Sequence, residues 1–187
     1  MRVIGGTAKG RALKAVPGDS TRPILDRVKT SLFDMLRPDL PGMRILDLFG
    51  GTGAVGIEAL SQGAQHCVFL DTNARATETI KSNLETTALK DKAEVRHTDA
   101  FVYLKNSTKS FDLIYVAPPQ YEGIWIEAMR TLAERPHLLS QRGMVIVQID
   151  PKEYEPLDLH TLVETKQRKY GNTVLVFYGL RESSSAP

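Results

Sequence analysis

Between residues 43 and 150, short apolar runs of strand length alternate with segments that have helical spacing. The apolar runs include RILDLF, HCVFLD, AEVRH, FDLIYVA and MVIVQID, and the helical segments include AVGIEALSQ and ARATETIKSNLETTA. Strands that alternate with helices are joined by right-handed crossovers, which place the strands parallel to one another. The alternation therefore predicts an α/β fold, doubly wound around a mostly parallel sheet that has seven strands when the end of the chain is included.

Both ends of the chain depart from this alternation. RVIGG and RALKAV predict an N-terminal β-hairpin, and RPILDRVKTSLFDML has the apolar spacing of a helix. LVETKQRKY and TVLVFYGL meet around Gly171-Asn172 with no helix between them, which predicts a closing antiparallel hairpin. We therefore expect a hairpin-and-helix extension over residues 1–42, a main domain over 43–181 and a disordered tail over 182–187.

A glycine-rich loop follows the first strand of the main domain, in ILDLFGGTGAVGIEAL (45–60). Glycines allow a tight turn and a close approach of a ligand to the backbone. The spacing Gly51-x-Gly53-x-x-Gly56 leaves NAD, S-adenosylmethionine and a turn without ligand as candidates, since such a match alone is weak evidence. Asp47 favours S-adenosylmethionine, because a carboxylate repels a pyrophosphate and suits the ammonium group of a methionine.

Acidic or irregular segments end several of the predicted strands. Asp71 follows Gly51 by 20 residues and is placed to accept hydrogen bonds from ribose hydroxyls. Asp99 ends the third apolar run, where it suits either an adenine or ribose contact or a helix cap. In a doubly wound sheet, ligands bind beyond the carboxyl ends of the strands. Asp47, Asp71, Asp99 and the segment 117–120 are therefore expected to line one crevice.

The chain resembles the bacterial 16S rRNA guanine-N2 methyltransferase family over nearly its whole length. RVIGGTAKGRAL, TRPILDRVKTSLFDML and LDLFGGTGAVGIEALSQGA carry the resemblance, and the second of these is specific to that family. The resemblance implies a Rossmann-like fold, S-adenosylmethionine as cofactor, and transfer of a methyl group to the N2 amine of a guanine in small-subunit rRNA. The cofactor-binding residues it implies are Asp47, Phe49, Gly50, Gly51, Gly53, Asp71, Thr72, Asp99 and Ala100.

The chain departs from the family pattern after the fourth strand. The family has Asp-Pro-Pro followed by Phe or Tyr, in which the acid and a backbone carbonyl hold the amino group and the ring stacks on the flipped base. Here the candidate catalytic residues are Ala117, Pro118, Pro119, Gln120 and Tyr121. The Pro118 carbonyl remains as an acceptor, but Ala117 has none in its side chain. Tyr121 or Trp125 is a candidate for the missing ring, or packs in the core.

The first 30 residues are basic, with seven lysines and arginines against two aspartates. Such a segment suits either phosphate contacts or a solvated surface, and the resemblance favours RNA. The predicted RNA-binding residues are Arg2, Lys9, Arg11, Lys14, Arg22 and Arg27. A structural ion pair of Asp26 is the alternative for the last part of this segment.

The remaining expectations concern partners and location. We expect rRNA or the small ribosomal subunit as partner, a monomer, and no metal, since the four histidines are scattered and Cys67 is the single cysteine. The chain has no apolar run long enough for a membrane span or a signal peptide, which predicts a cytoplasmic protein. Two alternatives stay open: an RNA-binding or ribosome-assembly protein with impaired catalysis, and a methyltransferase for DNA, a protein or a small molecule.

Overall fold

A computed structural model describes residues 1–18 and 23–182 of the chain. The predicted RNA-binding residue Arg22 and positions 183–187 of the predicted tail lie outside these ranges. The helices of the described residues are α1 (Asp26–Leu36), α2 (Ala54–Ser61), α3 (Ala74–Thr86), α4 (Ala100–Asn106) and α5 (Ile124–Glu134). The strands are β1 (Arg44–Asp47), β2 (His66–Asp71), β3 (Ala93–His97), β4 (Phe111–Val116), β5 (Leu139–Ile149), β6 (Leu162–Tyr170) and β7 (Thr173–Leu180).

The seven strands form one sheet in the order β3-β2-β1-β4-β5-β7-β6. β1 pairs with β2, β2 with β3, and β4 with β5, all in parallel. β7 pairs antiparallel with both β5 and β6, and the β6–β7 hairpin closes between Tyr170 and Thr173. The prediction of a mostly parallel α/β sheet with a closing antiparallel hairpin is confirmed.

β2 and β4 consist of nearly continuous apolar residues, as strands of a parallel sheet do when helices cover both of its faces. Cys67, Val68, Phe69 and Leu70 of β2 are all 0% exposed, so neither face of this strand contacts solvent. β6 lies at the edge of the sheet and shows the opposite pattern, with exposed residues from Val163 to Lys169. Charged side chains on such an edge oppose pairing with a second chain.

The chain divides into two compact units, residues 1–103 and 104–187. In the first unit, the N-terminal segment makes a short antiparallel pairing centred on a bridge between Arg2 and Ala12. The Val3 N–H donates to the Arg11 carbonyl at 2.9 Å, and the Leu13 N–H donates to the Met1 carbonyl at 2.9 Å. The predicted hairpin is thus present as a brief pairing rather than as two full strands.

A buried ion pair attaches this N-terminal segment to α1 and α2. Lys29 Nζ lies 3.0 Å from Glu58 Oε1, and both side chains are 0% exposed. Glu58 also accepts the backbone N–H groups of Ile4 at 2.9 Å and Gly5 at 3.0 Å, while Lys29 donates to the Arg2 carbonyl at 2.8 Å. Buried charges are tolerated when they are paired and hydrogen-bonded, as this pair is.

The second unit contains β4, α5 and the three strands β5, β6 and β7. Helix α5 buries Trp125, Ala128, Met129 and Leu132 on one face. Across both described ranges, every helix is too short or too polar to span a bilayer.

Candidate active site

The two compact units each hold one group of the predicted site residues. The glycine-loop half, in residues 1–103, comprises Asp47, the loop 48–53, Asp71, Thr72, Asp99 and Ala100. The diproline half, in residues 104–187, comprises residues 117–121. Each half has its own conformation and hydrogen bonds.

The glycine loop turns tightly between the end of β1 and the start of α2. Gly51 and Gly53 have φ values of 58° and 82°, in the left-handed region that glycine adopts without steric cost. The Gly50 N–H donates to the Leu70 carbonyl at 2.7 Å, and the Gly53 N–H donates to the Gly50 carbonyl at 2.8 Å. The loop is therefore held by backbone bonds of its own and by one bond to β2.

Two glycines of this stretch are closely surrounded by other residues. A Cβ on Gly50 would lie 2.7 Å from Ile80 Cδ1, and a Cβ on Gly56 would lie 2.3 Å from the Phe69 ring. A Cβ on Gly51, in contrast, would meet no described atom within 4 Å. The loop is thus closely packed beneath and open above Gly51, as a backbone that a ligand approaches must be.

Asp71 orients the loop from the end of β2. Its Oδ2 accepts the Gly51 N–H at 3.0 Å, and its Oδ1 accepts the Asn73 N–H at 2.9 Å. A carboxylate has about four lone-pair sites, so these two bonds leave it able to accept hydroxyl groups as well. Asp71 is thereby fixed in orientation and retains acceptor capacity, which suits a ribose.

Asp47 is the least satisfied group of this half. Its side chain is 2% exposed, and Oδ1 has no hydrogen-bond partner among the described residues. Burial and then the nearby Asp71 carboxylate raise the pKa of Asp47 to about 7, although a backbone bond from Phe49 acts in the opposite direction. A buried carboxylate oxygen in this state is well suited to a cationic ligand group.

The other residues of the glycine-loop half have simpler surroundings. Asp99 caps α4, since its Oδ1 accepts the N–H groups of Phe101 at 2.8 Å and Val102 at 3.1 Å. Ala100 is buried at the start of α4, and Phe49 is half-buried in the loop. Thr72 is exposed, and its carbonyl oxygen lies 2.8 Å from His97 Nε2. The cap is present, and the adenine or ribose contact of Asp99 stays a prediction.

The diproline half follows β4 directly. Ala117 is half-buried and Pro118 is buried, whereas Pro119 and Gln120 are exposed. Tyr121 is 62% exposed and has a φ of 63°. Trp125 is 1% exposed and stacks on the Tyr154 ring, with centroids 6.5 Å apart, so it is a core residue and not the exposed ring considered from the sequence.

Two acidic residues that the sequence reasoning missed contact Tyr121. Asp150 Oδ2 accepts the Tyr121 hydroxyl at 2.5 Å, and Glu153 Oε1 accepts the Tyr121 N–H at 2.7 Å. Asp150 immediately follows β5, as Asp71 ends β2. The rule that acids at the carboxyl ends of strands mark a site would have selected it.

The predicted RNA-binding residues of the described ranges are all exposed: Arg2, Lys9, Arg11, Lys14 and Arg27. Lys29 does not add to this basic surface, because Glu58 neutralises it in the interior. Asp26 is exposed at the start of α1. The buried ion pair of this segment is therefore formed by Lys29, about one helical turn after Asp26, for which the sequence had suggested an ion pair.

Comparison with known proteins gives a consistent result over the whole chain. Residues 1–179 match the family described as "Conserved hypothetical protein 95". The chain is 42% identical over 184 residues to "Putative rRNA methyltransferase YlbH" of Bacillus subtilis, and the match covers 97% of this chain and 100% of that protein. It is 30% identical over 160 residues to "Ribosomal RNA small subunit methyltransferase D" of Haemophilus influenzae, covering 84% and 81% of the two chains.

A solved structure agrees with these relatives. "Putative methyltransferase yhhF" from Escherichia coli superposes with a TM-score of 0.84 at 28% sequence identity. The match covers 98% of this chain and 99% of that chain. The similarity therefore extends over nearly all of both compact units.

Proposed function

The chain belongs to the conserved hypothetical protein 95 family and is an S-adenosylmethionine-dependent methyltransferase of the Rossmann-like type, and we propose that it methylates the exocyclic N2 amine of a guanine in small-subunit rRNA. The observation that carries the proposal is the glycine-loop half, in which a buried carboxylate oxygen without a partner among the described residues adjoins a loop that is open above Gly51. The names of the two curated relatives support rRNA as the substrate class.

The residues present fit the cofactor. Asp47 Oδ1 is a buried acceptor that an ammonium group would satisfy, and Asp71 has acceptor capacity for ribose hydroxyls. We assign Asp47 to the methionine end and Asp71 to the ribose, with Gly50, Gly51 and Gly53 as the backbone against which the cofactor lies. Phe49, Thr72, Asp99 and Ala100 complete the proposed cofactor-binding set. When bound, S-adenosylmethionine supplies a methyl group that its sulfonium already activates.

The acceptor amine is assigned to the diproline half. An aromatic amine has a delocalised lone pair, so the protein must hold its hydrogens in place for the nitrogen to react. The two prolines restrict the backbone, which leaves the Pro118 carbonyl as a fixed acceptor for one hydrogen. Ala117 accepts none, and Gln120 is exposed with an amide that can bond the edge of a base.

RNA affinity is assigned to the exposed basic side chains of the N-terminal segment. Arg2, Lys9, Arg11, Lys14 and Arg27 would contact phosphates, which supply affinity without sequence information. Arg22 belongs to the same proposed set from its sequence position alone. The small ribosomal subunit or its rRNA is the proposed partner of a monomeric, cytoplasmic enzyme.

A methyl-transfer assay tests the proposal. The purified protein is incubated with S-adenosylmethionine carrying a tritiated methyl group and with small ribosomal subunits from cells that lack the modification. We expect incorporation into 16S rRNA, and mass spectrometry of nuclease digests should identify the product as N2-methylguanosine. The matched control is Gly51→Asp, which places a second carboxylate beside Asp71. Incorporation no higher than in this control would disprove the proposal.

Ala117 favours one second candidate, a non-catalytic RNA-binding protein that keeps the cofactor fold. Its side chain offers no acceptor at the position where the family pattern has an acid. This candidate predicts binding of the small subunit by the wild-type protein without turnover. Incorporation by the wild-type protein in the assay above would exclude it.

A further inference from the structure

Tyr121 has a backbone conformation that non-glycine residues rarely adopt. Its φ is 63°, and Ala88 is the only other non-glycine residue of the described ranges with a positive φ. The left-handed region brings Cβ close to the following carbonyl, so a bulky residue persists there only when its surroundings hold it. This strained residue lies two positions after the diproline, and contacts with other parts of the chain hold it in place.

A single turn after β5 holds Tyr121 at two points. Asp150 Oδ1 accepts the Lys152 N–H at 2.8 Å, which closes the short helix Pro151–Glu153. From this turn, Asp150 Oδ2 accepts the Tyr121 hydroxyl and Glu153 Oε1 accepts the Tyr121 N–H. Hydrogen bonds to carboxylates are stronger than neutral ones, so the pair of bonds can offset the backbone strain. Both ends of the tyrosine, backbone and hydroxyl, are thereby tied to one turn.

The ring between these two ties remains open to solvent. Tyr121 is 62% exposed, although Asp150, which holds its hydroxyl, is only 9% exposed. An exposed aromatic that is restrained at both ends loses little further conformational freedom when a ligand covers it. Trp125, the other aromatic of this stretch, is 1% exposed and cannot serve in the same way.

We propose that Tyr121 is the ring on which the target base stacks, and that Asp150 and Glu153 are positioning residues that hold this ring in its strained conformation. The inference rests on the proposed function, because it assigns the stacking surface of that same site. An enzyme that acts on a base must take it out of its stack, and an aromatic face compensates for the contacts that the base loses. Gln120 occupies the position where the family pattern has its ring, and Tyr121 supplies the ring one residue later.

Four variants and one control test the inference in the methyl-transfer assay. Tyr121→Ala removes the ring, and Tyr121→Phe keeps the ring without its hydroxyl tie. Glu153→Ala removes the backbone tie, and Glu153→Gln keeps an oxygen that can accept the Tyr121 N–H. Tyr170→Ala, at the β6 end of the closing turn, removes a tyrosine remote in sequence from the site. Titration with S-adenosylhomocysteine gives the active fraction of each preparation, so a folding defect is not counted as a catalytic one.

We expect Tyr121→Ala to lower kcat/KM by about 5- to 150-fold, the range expected for one lost stacking contact. The loss should fall mainly on kcat, because the basic surface, and not the flipped base, sets most of the affinity for the subunit. Tyr121→Phe keeps the ring but loses the bond to Asp150, so its activity should lie between those of Tyr121→Ala and the wild type, and Glu153→Gln should exceed Glu153→Ala. Tyr170→Ala should stay within about 2-fold of the wild type, because this half-buried tyrosine lies outside the proposed site.

The outcomes separate the inference from the function on which it rests. An active wild-type enzyme whose Tyr121→Ala variant keeps its kcat/KM overturns the inference alone. Equal losses in Tyr121→Ala and Tyr121→Phe also overturn it, since the ring would then not be the operative group. Equal activities of Glu153→Ala and Glu153→Gln would remove Glu153 from the proposal, and a Tyr121→Phe variant as active as the wild type would remove Asp150. A wild-type protein that transfers no methyl group overturns the proposed function, and the inference with it.

Discussion

The glycine-loop half and the diproline half differ in what each lacks. In the glycine-loop half, backbone bonds and the Asp71 carboxylate hold the loop, and Asp47 Oδ1 is a buried side-chain atom without a hydrogen-bond partner among the described residues. The diproline half has an alanine at the position of an acceptor, while its tyrosine is tied by two acids that lie 29 and 32 residues away in the chain. We propose the first half as the cofactor site, and the second as an acceptor site in which the motif is altered and a tyrosine lies next to it.

The difference has a physical basis in how each half is constrained. At Gly56, just after the glycine loop, a Cβ would lie 2.3 Å from the Phe69 ring, so this position admits glycine alone, and at Gly50 a Cβ would have to displace Ile80. Pro119 and Gln120 are exposed, and exposed positions accept substitution with little effect on stability.

The largest effect is expected from Lys29→Met, which removes one partner of the buried Lys29–Glu58 ion pair. Glu58 lies in α2, the helix that follows the glycine loop. The change leaves the buried Glu58 carboxylate without its cation, at a cost of about 3–5 kcal/mol in the free energy of unfolding. For a chain of this size the midpoint of thermal unfolding should fall by roughly 6–20 °C, measured by circular dichroism. Arg37→Met is the matched control, because the Asp34–Arg37 pair has side chains 56% and 62% exposed. A loss no larger than in this control would show that the buried pair contributes little.

The next effect is a pH dependence that belongs to Asp47. Its pKa is about 7 in the folded chain, against an ordinary value of 3.8 for an aspartate in water, so the folded state holds the proton more tightly than the unfolded state does. The cofactor-free protein should therefore lose up to about 4 kcal/mol of stability as pH rises from about 4 to about 7. Asp47→Asn should remove this slope and weaken binding of S-adenosylmethionine. Urea unfolding between about pH 4 and about pH 8 measures the slope, and parallel curves for both proteins would contradict the prediction.

A smaller effect is expected from Ala117→Asp. This variant tests whether the diproline half can hold the amine without a side-chain acceptor at position 117. If the missing acceptor limits the reaction, restoring it should raise kcat/KM by about 10- to 150-fold, the value of one hydrogen bond to a charged group. Ala117→Leu is the matched control, since it fills the same half-buried position without an acceptor. An unchanged rate in Ala117→Asp would indicate that the Pro118 carbonyl and its neighbours already hold the amine.

The smallest effect is expected from Arg11→Gln in the exposed basic segment. Loss of one phosphate contact should lower RNA affinity only a few-fold and reduce the slope of log K against log salt by about 1. Filter binding of small-subunit rRNA at salt concentrations from about 50 to about 200 mM measures the slope. Lys92→Gln is the control, an exposed lysine of the same unit outside the basic segment. Equal slopes for the two variants would remove Arg11 from the RNA surface.

Much of the fold was predictable because it depends on local patterns. The alternation of apolar runs and helical spacing identified the parallel strands, and Gly171-Asn172 identified the closing turn between Tyr170 and Thr173. The glycine loop and Asp71 were predictable for the same reason, since a tight turn after a strand requires residues of particular types at adjacent positions. The N-terminal hairpin was predicted longer than the single bridge that forms, because its neighbours Glu58 and Ser61 take several of its backbone bonds.

Among the features that could not be predicted, Lys29 and Asp99 both depend on partners that only folding supplies. From the sequence, Lys29 is expected to be one of several exposed basic residues. In the fold it pairs with Glu58, and both side chains are buried. Asp99 suits a ligand or a cap equally well in the sequence, and the position of the α4 N–H groups provides the cap. In each case the sequence determined the charge of the side chain, and the fold determined which groups that side chain contacts.

The sequence by itself determined the order of strands and helices, the conformation of the glycine loop and the residue types at the carboxyl ends of the strands, because these follow from short-range periodicity and backbone sterics. Only the tertiary structure decided that Asp47 Oδ1 would be buried without a partner among the described residues, that Lys29 would be neutralised, and that Asp150 and Glu153 would meet at Tyr121. Burial and pairing depend on elements that lie far apart in the chain and that only folding brings together.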